Sequence, residues 1–325
     1  METALVSIII PSHNYGHLIV NTLQCLQQQR YQHWEAIIID DGSEDNTKDV
    51  VAAIEAEDSR FIYIYQENTG VAIARNNGLK QAMGKYIQFL DADDLITPEK
   101  IALQVEYMEM NQEVDLLLVN TRYFHSTLPG RWFTDLSLTN QSTRGKLSGA
   151  GLPLIMQLIK NNPIVVHAPL FKSNILKTIG HFAPHMDYLE DWDLWFRIAL
   201  EGYYFEFLDH ENALALVRVH SLSASQKDNK LLEGEGYFRQ RIAAAVKANH
   251  TLGSLERIEA LKFNESELLN TYKYLMANTT ISNLAKFKEY YLQLQNPKIF
   301  VSSFIKSLNL KRKLITLRGS KIQLF

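Results

Sequence analysis

Over its first 120 residues the chain alternates short apolar runs with longer amphipathic ones, and two of the apolar runs end in aspartates. Strands are predicted at 7–10, 36–39, 61–65, 86–90 and 116–119, all rich in Ile, Val, Leu, Phe or Tyr. Helices are predicted between them at 18–29, 47–57, 71–83 and 98–110. Such alternation builds βαβ units, hence an α/β fold with a mainly parallel central sheet and flanking helices. In an open sheet of this kind, ligands bind beyond the carboxyl ends of the strands. Two of those ends read Asp40-Asp41-Gly42-Ser43 and Asp91-Ala92-Asp93-Asp94. Two acidic strand ends in one half-domain predict one shared site. Carboxylates two apart in a loop suit a hard divalent cation, which in turn holds phosphates. That is the chemistry of a nucleotide-diphosphate donor.

The chain has 325 residues, 46% of them hydrophobic, enough for one large or two ordinary globular domains. Its single cysteine, Cys25, excludes an internal disulfide and fits a reducing compartment. Within 18–29 it reads as a buried core thiol, not a nucleophile. No secretory leader is expected, because 5–10 is short and lacks a basic n-region. No stretch reaches the roughly 18 apolar residues that span a bilayer. The net charge of −3 hides an asymmetry. Residues 1–225 carry 16 Lys+Arg and 28 Asp+Glu, a balance of −12, whereas 226–325 carry 17 and 8, a balance of +9. A basic tail on an acidic body predicts an anionic partner for the tail.

After residue 120 the pattern changes. The polar stretch 122–151, with Pro129-Gly130 and Trp132-Phe133, predicts a hairpin and a mobile loop. A helix at 152–160, a strand at 164–171 and a short helix at 173–179 closed by Gly180 follow. Residues 190–201 form an amphipathic helix, and 203–208 and 213–219 return as strands. From about residue 225 everything reads as helix. The division is therefore an α/β domain over 1–225 and a helical region over 226–325.

Five segments carry chemistry. In Pro11-Ser12-His13-Asn14, Pro11 is predicted to close the first strand, since it has no ladder donor. His13 can stack on a flat base and Asn14 can bond one, although an ordinary βα turn suits the same residues. At 40–43 a carboxylate can accept from a base imino N–H or bond a ribose hydroxyl, or merely sit in a solvated turn. Asn68-Thr69-Gly70 leads to Arg75-Asn76-Asn77-Gly78. Gly70 opens a helix whose N-terminus can attract phosphate, with Arg75 in reach of the same anion. This is neither a dinucleotide fingerprint nor a P-loop, which removes support from dehydrogenase and NTPase readings. At 91–94, Mg²⁺ or Mn²⁺ can take one or two carboxylates and complete its shell with phosphate oxygens and water. Helix-dipole acidity ahead of Thr97 (N-cap) and Pro98 (first helical position) is the rival reading. At Glu190-Asp191-Trp192 the choice is again dipole chemistry, or a carboxylate beside Trp192 with a raised pKa acting as general base.

In this order and on this frame, the five segments resemble the GT-A glycosyltransferases of glycosyltransferase family 2, over roughly residues 5–220. The resemblance implies an inverting transfer of one sugar from a nucleotide-diphosphate sugar, usually a UDP-sugar. The acceptor would be a glycan or a lipid-linked saccharide in cell-surface polysaccharide biosynthesis. By the same resemblance Pro11, His13 and Asp41 contact the base, and Asn14, Gly70 and Arg75 help hold the donor. Asp91 and Ala92 lie on the ribose or sugar side, and Asp93 ligates Mn²⁺ or Mg²⁺ on the diphosphate. Asp191 is the catalytic base, with Glu190, Trp192 and His167 as acceptor or supporting groups. Arg218-Val219-His220 resembles the family's segment after the domain, so His220 is a metal or diphosphate contact. His13 stands where relatives often carry Tyr. The processive signature Gln-x-x-Arg-Trp is absent, which implies one sugar per encounter. The rival class is a non-catalytic protein of the same fold that binds a nucleotide-sugar or a partner. A nucleotidyltransferase would carry a Gly-rich basic loop after the first strand, which 11–14 is not.

The helical region offers two surfaces. Leu268, Leu269, Tyr272 and Leu275 form one stripe, predicted to pack on the first domain or on a second subunit of a homo-oligomer. Residues 298–325 hold seven Lys+Arg and no acid. Ile299, Phe300, Phe304, Ile305, Leu308, Leu310, Leu314, Ile315 and Leu317 lie among them. That predicts a segment lying on an anionic membrane, hence a cytoplasmic protein peripheral at the inner face of the cell membrane. Nucleic acid is the poorer partner, since few aromatic groups are available for stacking there.

Overall fold

The computed structural model describes residues 3–143, 145–186, 188–220 and 228–322. Two compact units form, Met1–Ser223 and Ala224–Phe325.

The first unit begins β1 (Val6–Ser12), α1 (Gly16–Gln27), β2 (Trp34–Asp41), α2 (Thr47–Glu55), β3 (Phe61–Gln66), α3 (Val71–Gln81) and β4 (Tyr86–Phe89). It continues with β5 (Leu95–Ile96), α4 (Lys100–Met110), β6 (Leu116–His125), α5 (Gly151–Lys160), β7 (Leu170–Lys172) and α6 (Ile175–Ile179). α7 (Glu190–Leu200), β8 (Phe205–Leu208) and β9 (Leu214–Val219) complete it. The sheet order is β3-β2-β1-β4-β7-β6-β9-β5, with β8 also on β6. β3, β2, β1 and β4 are parallel, and β7 runs antiparallel to both β4 and β6.

β1 and β2 are buried along their whole length, as central strands of a doubly covered sheet must be. The order reverses at β1, with β2 and β3 on one side and β4 on the other. Loops leaving β1 and β4 therefore diverge and open a crevice at their carboxyl ends.

Several expectations shift. Pro11 does not close β1, which continues through Pro11 and Ser12 in register with Ile39 and Asp40. The Ile9 carbonyl accepts from Leu90 N, so odd residues of β1 face β4. β4 ends at Phe89. The donor that Pro11 lacks thus falls where no neighbouring strand remains. The predicted strand at 164–171 shrinks to Leu170–Lys172. Thr97 is not an N-cap: its hydroxyl bonds the Asn212 carbonyl at 2.7 Å and accepts from Leu214 N at 2.8 Å. It ties the unpredicted β5 to β9, and α4 starts only at Lys100. β6 runs on to His125 because its second half finds a partner in β9. The chain then reverses, and Tyr123 and Phe133 exchange two backbone bonds of 2.8 Å. The loop beyond is organised around Asp135, whose carboxylate accepts from Thr139, Gln141 and Ser142 backbone N–H groups. Cys25 packs against the core, and burial pushes its thiol up to about 12.

The second unit is helical: α8 (Asp228–Ala248), α9 (Ser254–Asn278), α10 (Leu284–Leu294) and α11 (Pro297–Ile322). α9 packs on α8 and α11. Tyr272, Leu275 and Met276 join Phe287, Tyr290, Leu294 and Ile299 in its core, with Leu268, Leu269, Phe300 and Phe304 against them. The expected stripe on α9 is thus satisfied within its own unit. The membrane expectation for 298–325 is corrected in part, because Ile299, Phe300 and Phe304 face this core. Ile305 stays 55% exposed. The side chains of Leu314, Ile315 and Leu317 lie outside the described residues. No helix among the described residues is long and apolar enough to cross a membrane.

Candidate active site

Three loops meet at the carboxyl ends of β1, β2 and β3, and the Asp-Asp-Gly-Ser run locks them. Asp40 accepts from Ser43 N at 2.8 Å and from the Tyr63 hydroxyl at 2.6 Å. Ser43 Oγ accepts from Asn14 N at 2.9 Å, and Asn14 Oδ1 accepts from Glu44 N at 2.8 Å. Asn14 sits in the left-handed region (φ 59), which asparagine tolerates better than most residues. Gly42 has φ +77, and a Cβ there would lie 2.8 Å from Asn68 N. Both the dihedral and the space demand glycine.

Asp41 is buried, and its carboxylate accepts from Thr69 N at 2.8 Å and Gly70 N at 2.9 Å. These N–H groups stand at the positive end of α3, so the anion held there is this chain's own. The expectation that Gly70 offers its N–H to the donor is corrected accordingly. His13 is exposed, with Nδ1 2.9 Å from the Asp41 carbonyl oxygen. That acceptor makes Nδ1 the donor, so Nε2 receives the Asn14 amide at 3.2 Å. The imidazole is held by its edge, which suits stacking.

Four successive residues of α3 each serve a different neighbour. Arg75 is 3% exposed and bridges Asp91 at 2.7 Å and Glu190 at 2.5 Å. Asn76 exchanges two 2.9 Å bonds with the backbone of Phe182. Asn77 bonds Gln66 at 2.7 Å, and Gln66 bonds Asp41 at 2.7 Å. Gly78 lets α3 approach β1, since a Cβ would sit 2.5 Å from Ile9 Cγ2. Burial works against the Arg75 charge, but Asp91 and Glu190 outweigh it and raise its pKa. Arg75 is therefore a shared counter-ion for two carboxylates.

Beyond β4, Asp93 Oδ2 lies 2.8 Å from His220 Nε2. Tyr15, which spacing alone did not single out, faces the same carboxylate; burial, then Asp93, raises its pKa. Burial and then Asp91 raise the pKa of Asp93, against the lowering effect of His220. Arg218 Nε bonds the Asp93 carbonyl at 2.6 Å, and Arg218 N bonds Asp94 at 2.7 Å. Two expectations change here. The Ala92 side chain is buried in the core, and its carbonyl accepts from Thr22 at 2.8 Å. His167 is 1% exposed, with Nδ1 3.3 Å from Asp94 Oδ2. It supports the acidic loop from beneath and does not face an acceptor.

Among the described residues no group of three or more His, Cys, Asp or Glu forms a ready-made metal site. A cation shared with a diphosphate needs only one or two protein ligands. The Asp93 oxygen and the His220 nitrogen, 2.8 Å apart, fit that requirement. An imidazole beside a carboxylate favours Mn²⁺ over Mg²⁺.

At the start of α7, Leu189 adopts φ 62 and turns Glu190 and Asp191 into the crevice. The Trp192 ring is 6% exposed and its Nε1 donates to the Leu158 carbonyl at 2.7 Å. Trp192 anchors α7 on α5, which is the supporting one of the two roles expected for it. Asp191 Oδ2 receives Asn162 Nδ2 at 3.3 Å, and Asn162 Oδ1 receives Ile164 N at 3.0 Å. The backbone donor fixes the orientation of that amide, so its NH₂ points at Asp191. Asn162 was invisible in the spacing of the motifs. Burial and then Glu190 push the Asp191 carboxyl up to about 7, against the opposing pull of Arg75. The structure thus brings Asp91, Arg75, Glu190 and Asp191 into one connected line.

The family model for glycosyl transferase family 2 matches residues 7–159. TuaG of Bacillus subtilis, whose name assigns it to teichuronic acid biosynthesis, is 43% identical over 105 residues, 32% of this chain and 42% of its own. WfgD of Escherichia coli, named as a UDP-Glc:α-D-GlcNAc-diphosphoundecaprenol β-1,3-glucosyltransferase, is 41% identical over 112 residues, 34% of this chain and 44% of its own. An uncharacterized glycosyltransferase of Rickettsia typhi is 30% identical over 230 residues, 70% of this chain and 68% of its own. S. aureus TarS 1–349 in complex with UDP-GlcNAc aligns with a TM-score of 0.70 at 17% identity, over 98% of this chain and 91% of that one. The fold is GT-A, with C-terminal helices. The chain belongs to glycosyltransferase family 2. It spans less than half the length of TuaG and WfgD.

Proposed function

We propose that the protein moves one glycosyl unit from a UDP-sugar to a hydroxyl of a glycan or lipid-linked saccharide, with inversion, in cell-surface polysaccharide biosynthesis. One observation carries this reading: Asp191 is held by Asn162 and set beside Glu190, and burial there pushes its carboxyl up to about 7, the range that suits a general base at neutral pH. It is linked through Glu190 and Arg75 to the acidic loop that suits a diphosphate. The name of WfgD supports the donor and acceptor classes, and that of TuaG supports polysaccharide biosynthesis.

In this mechanism Asp191 takes the proton of the acceptor hydroxyl. The oxygen forms a bond to the anomeric carbon as the bond to the diphosphate oxygen breaks, and UDP leaves with that electron pair. His13 stacks on the base, and Asp41 holds the Thr69–Gly70 loop beside it. A divalent cation on Asp93 and His220 would supply Lewis-acid charge to the leaving diphosphate. Arg75 keeps Asp91 and Glu190 from repelling one another and the substrate.

UDP release from a panel of UDP-sugars with Mn²⁺ tests the proposal. Release is expected with at least one sugar, should stop with EDTA, and should return with Mn²⁺ or Mg²⁺. Insensitivity to EDTA would remove the metal. Thermal stabilisation by UDP-sugars with no UDP release, with or without saccharide acceptors, would favour the non-catalytic reading.

A membrane-bound acceptor also remains part of the proposal. The Lys311-Arg312-Lys313 run is the basic cluster concerned. Truncation after Asn296 would strip Ile299 from the helical core, so it is a poor test. Exchanging Arg312 and Lys313 for Gln should instead weaken sedimentation with anionic vesicles. Unchanged sedimentation would refute the contact.

A further inference from the structure

A recess of about 240 Å³ opens on the first unit, and none of Asp91, Arg75, Glu190 and Asp191 lines it. Its walls include Asn120 and Arg122 from the second half of β6, Lys146, Pro163 beyond α5, and Phe207 and Asp209 at the end of β8. The polar groups bond one another at the mouth of the recess, where the Lys146 and Asp209 side chains stay 55% and 62% exposed. Asp209 receives Asn120 Nδ2 at 2.6 Å and Lys146 Nζ at 2.5 Å. Lys146 Nζ also stands 5.3 Å from the centroid of the Phe207 ring. Arg122 gives one N–H to the Thr121 carbonyl at 2.9 Å, and its planar fork has five in all.

We infer that this recess is a saccharide subsite for the acceptor. Its chemistry is an apolar ring beside a few converging donors and acceptors, which is what fixes a small polar ligand in a pocket. A pyranose presents the matching surfaces, an apolar C–H face and a rim of hydroxyls. The volume suits one ring, not a chain of them. Arg122 and Lys146 against Asp209 leave one positive charge in excess. An acidic sugar, offering a carboxylate to the Arg122 fork, is therefore favoured over its neutral counterpart. Location gives the recess its role. Pro163 and Ile164 line it, and Ile164 N holds the amide of Asn162, which donates to Asp191. Pro163 directly follows Asn162, the residue that positions the base, so the wall of the recess and that support belong to one short segment. This role rests on the transferase reading, whereas saccharide binding by itself does not.

Gly145 provides the test. A Cβ built on it meets only Pro163 Cβ within 4 Å, at 3.9 Å, so a large side chain there would project across the recess toward that wall. The probes are methyl β-D-glucuronide and methyl β-D-glucoside, observed by saturation-transfer NMR on the full chain. Binding of the glucuronide is expected in the wild type, at least tenfold weaker in Gly145→Trp, and weakened also in Arg122→Gln. Affinity for UDP should stay unchanged in both variants, which checks that they fold. Equal glucuronide binding by wild type and Gly145→Trp would overturn the inference, as would its absence in the wild type. The two readings fail separately: if the wild type binds the glucuronide but releases no UDP from any UDP-sugar, saccharide binding in the recess stands, and the transferase reading fails together with the acceptor role.

Discussion

Asp191→Asn should lower turnover by roughly a thousandfold and leave UDP affinity unchanged, since a positioned general base contributes about 10²–10⁴. The amide keeps the shape and the contact with Asn162 but cannot take a proton. Retained turnover would remove Asp191 from its role. Its titration makes a second, independent mark. In the wild type, kcat/KM should rise with pH through about 7, where the carboxyl ionises. Asn162→Ala removes a donor that favours the charged form, so the same limb should move to higher pH. Stability should move the opposite way to activity. The folded pKa of Asp191 stands above its ordinary 3.8, so ionising it costs the fold free energy. Below 3.8 both states are protonated and nothing is lost; the loss accumulates from there to about 7 and is constant above. Asp191→Asn should therefore raise the melting midpoint at pH 8 and leave it alone near pH 3.5. A base held above its ordinary pKa is maintained at the expense of stability.

Arg75→Met should cost about 3–5 kcal/mol, the loss typical of a buried charge pair deprived of one partner. At ~2–4 °C per kcal/mol for a domain of ~150–250 residues, the midpoint should fall by roughly 10 °C. The reason is specific. Asp91 and Glu190 approach one guanidinium from opposite segments, at 2.7 and 2.5 Å, and methionine would leave both facing Asp191. Arg75 also pulls the Asp191 pKa down, so its loss should shift the acid limb of kcat/KM upward. Arg75→Lys restores the charge but not the fork that reaches two carboxylates, and should recover only part of each effect. Calorimetry at pH 8 checks the first effect and a pH–rate profile the second. An unchanged midpoint would overturn the assignment of Arg75 as shared counter-ion.

Some of these roles were legible in the chain and some were not. The parallel core was, because strands covered on both faces must be mostly apolar, and Ile8–Ile10 and Ala36–Ile39 are unbroken apolar runs. The acidic strand ends and the Glu190-Asp191-Trp192 run were visible for the same kind of reason: residue types whose chemistry has few ordinary uses at those positions. What the residues at those positions touch was not visible. Gly70 looked like a phosphate donor, and its N–H is taken by Asp41. Trp192 could have met the acceptor or supported the site, and it is a peg into α5. His167 could have met the acceptor or supported the site, and its place beside Asp94 fits support. Thr97 looked like a cap, and it is a rivet between β5 and β9.

The sequence by itself determined the order of most strands and helices and the acidic loops, and its motifs carried the resemblance to the family. Local periodicity and turn chemistry act within a few residues, and those features need nothing longer. Only the tertiary structure decided that Arg75 meets Glu190, 115 residues away, and that Asn162 holds Asp191. Those pairings depend on how α3, α5 and α7 pack against the sheet. Burial in that packing is also what lifts Asp191 from an ordinary carboxylate toward a base at neutral pH.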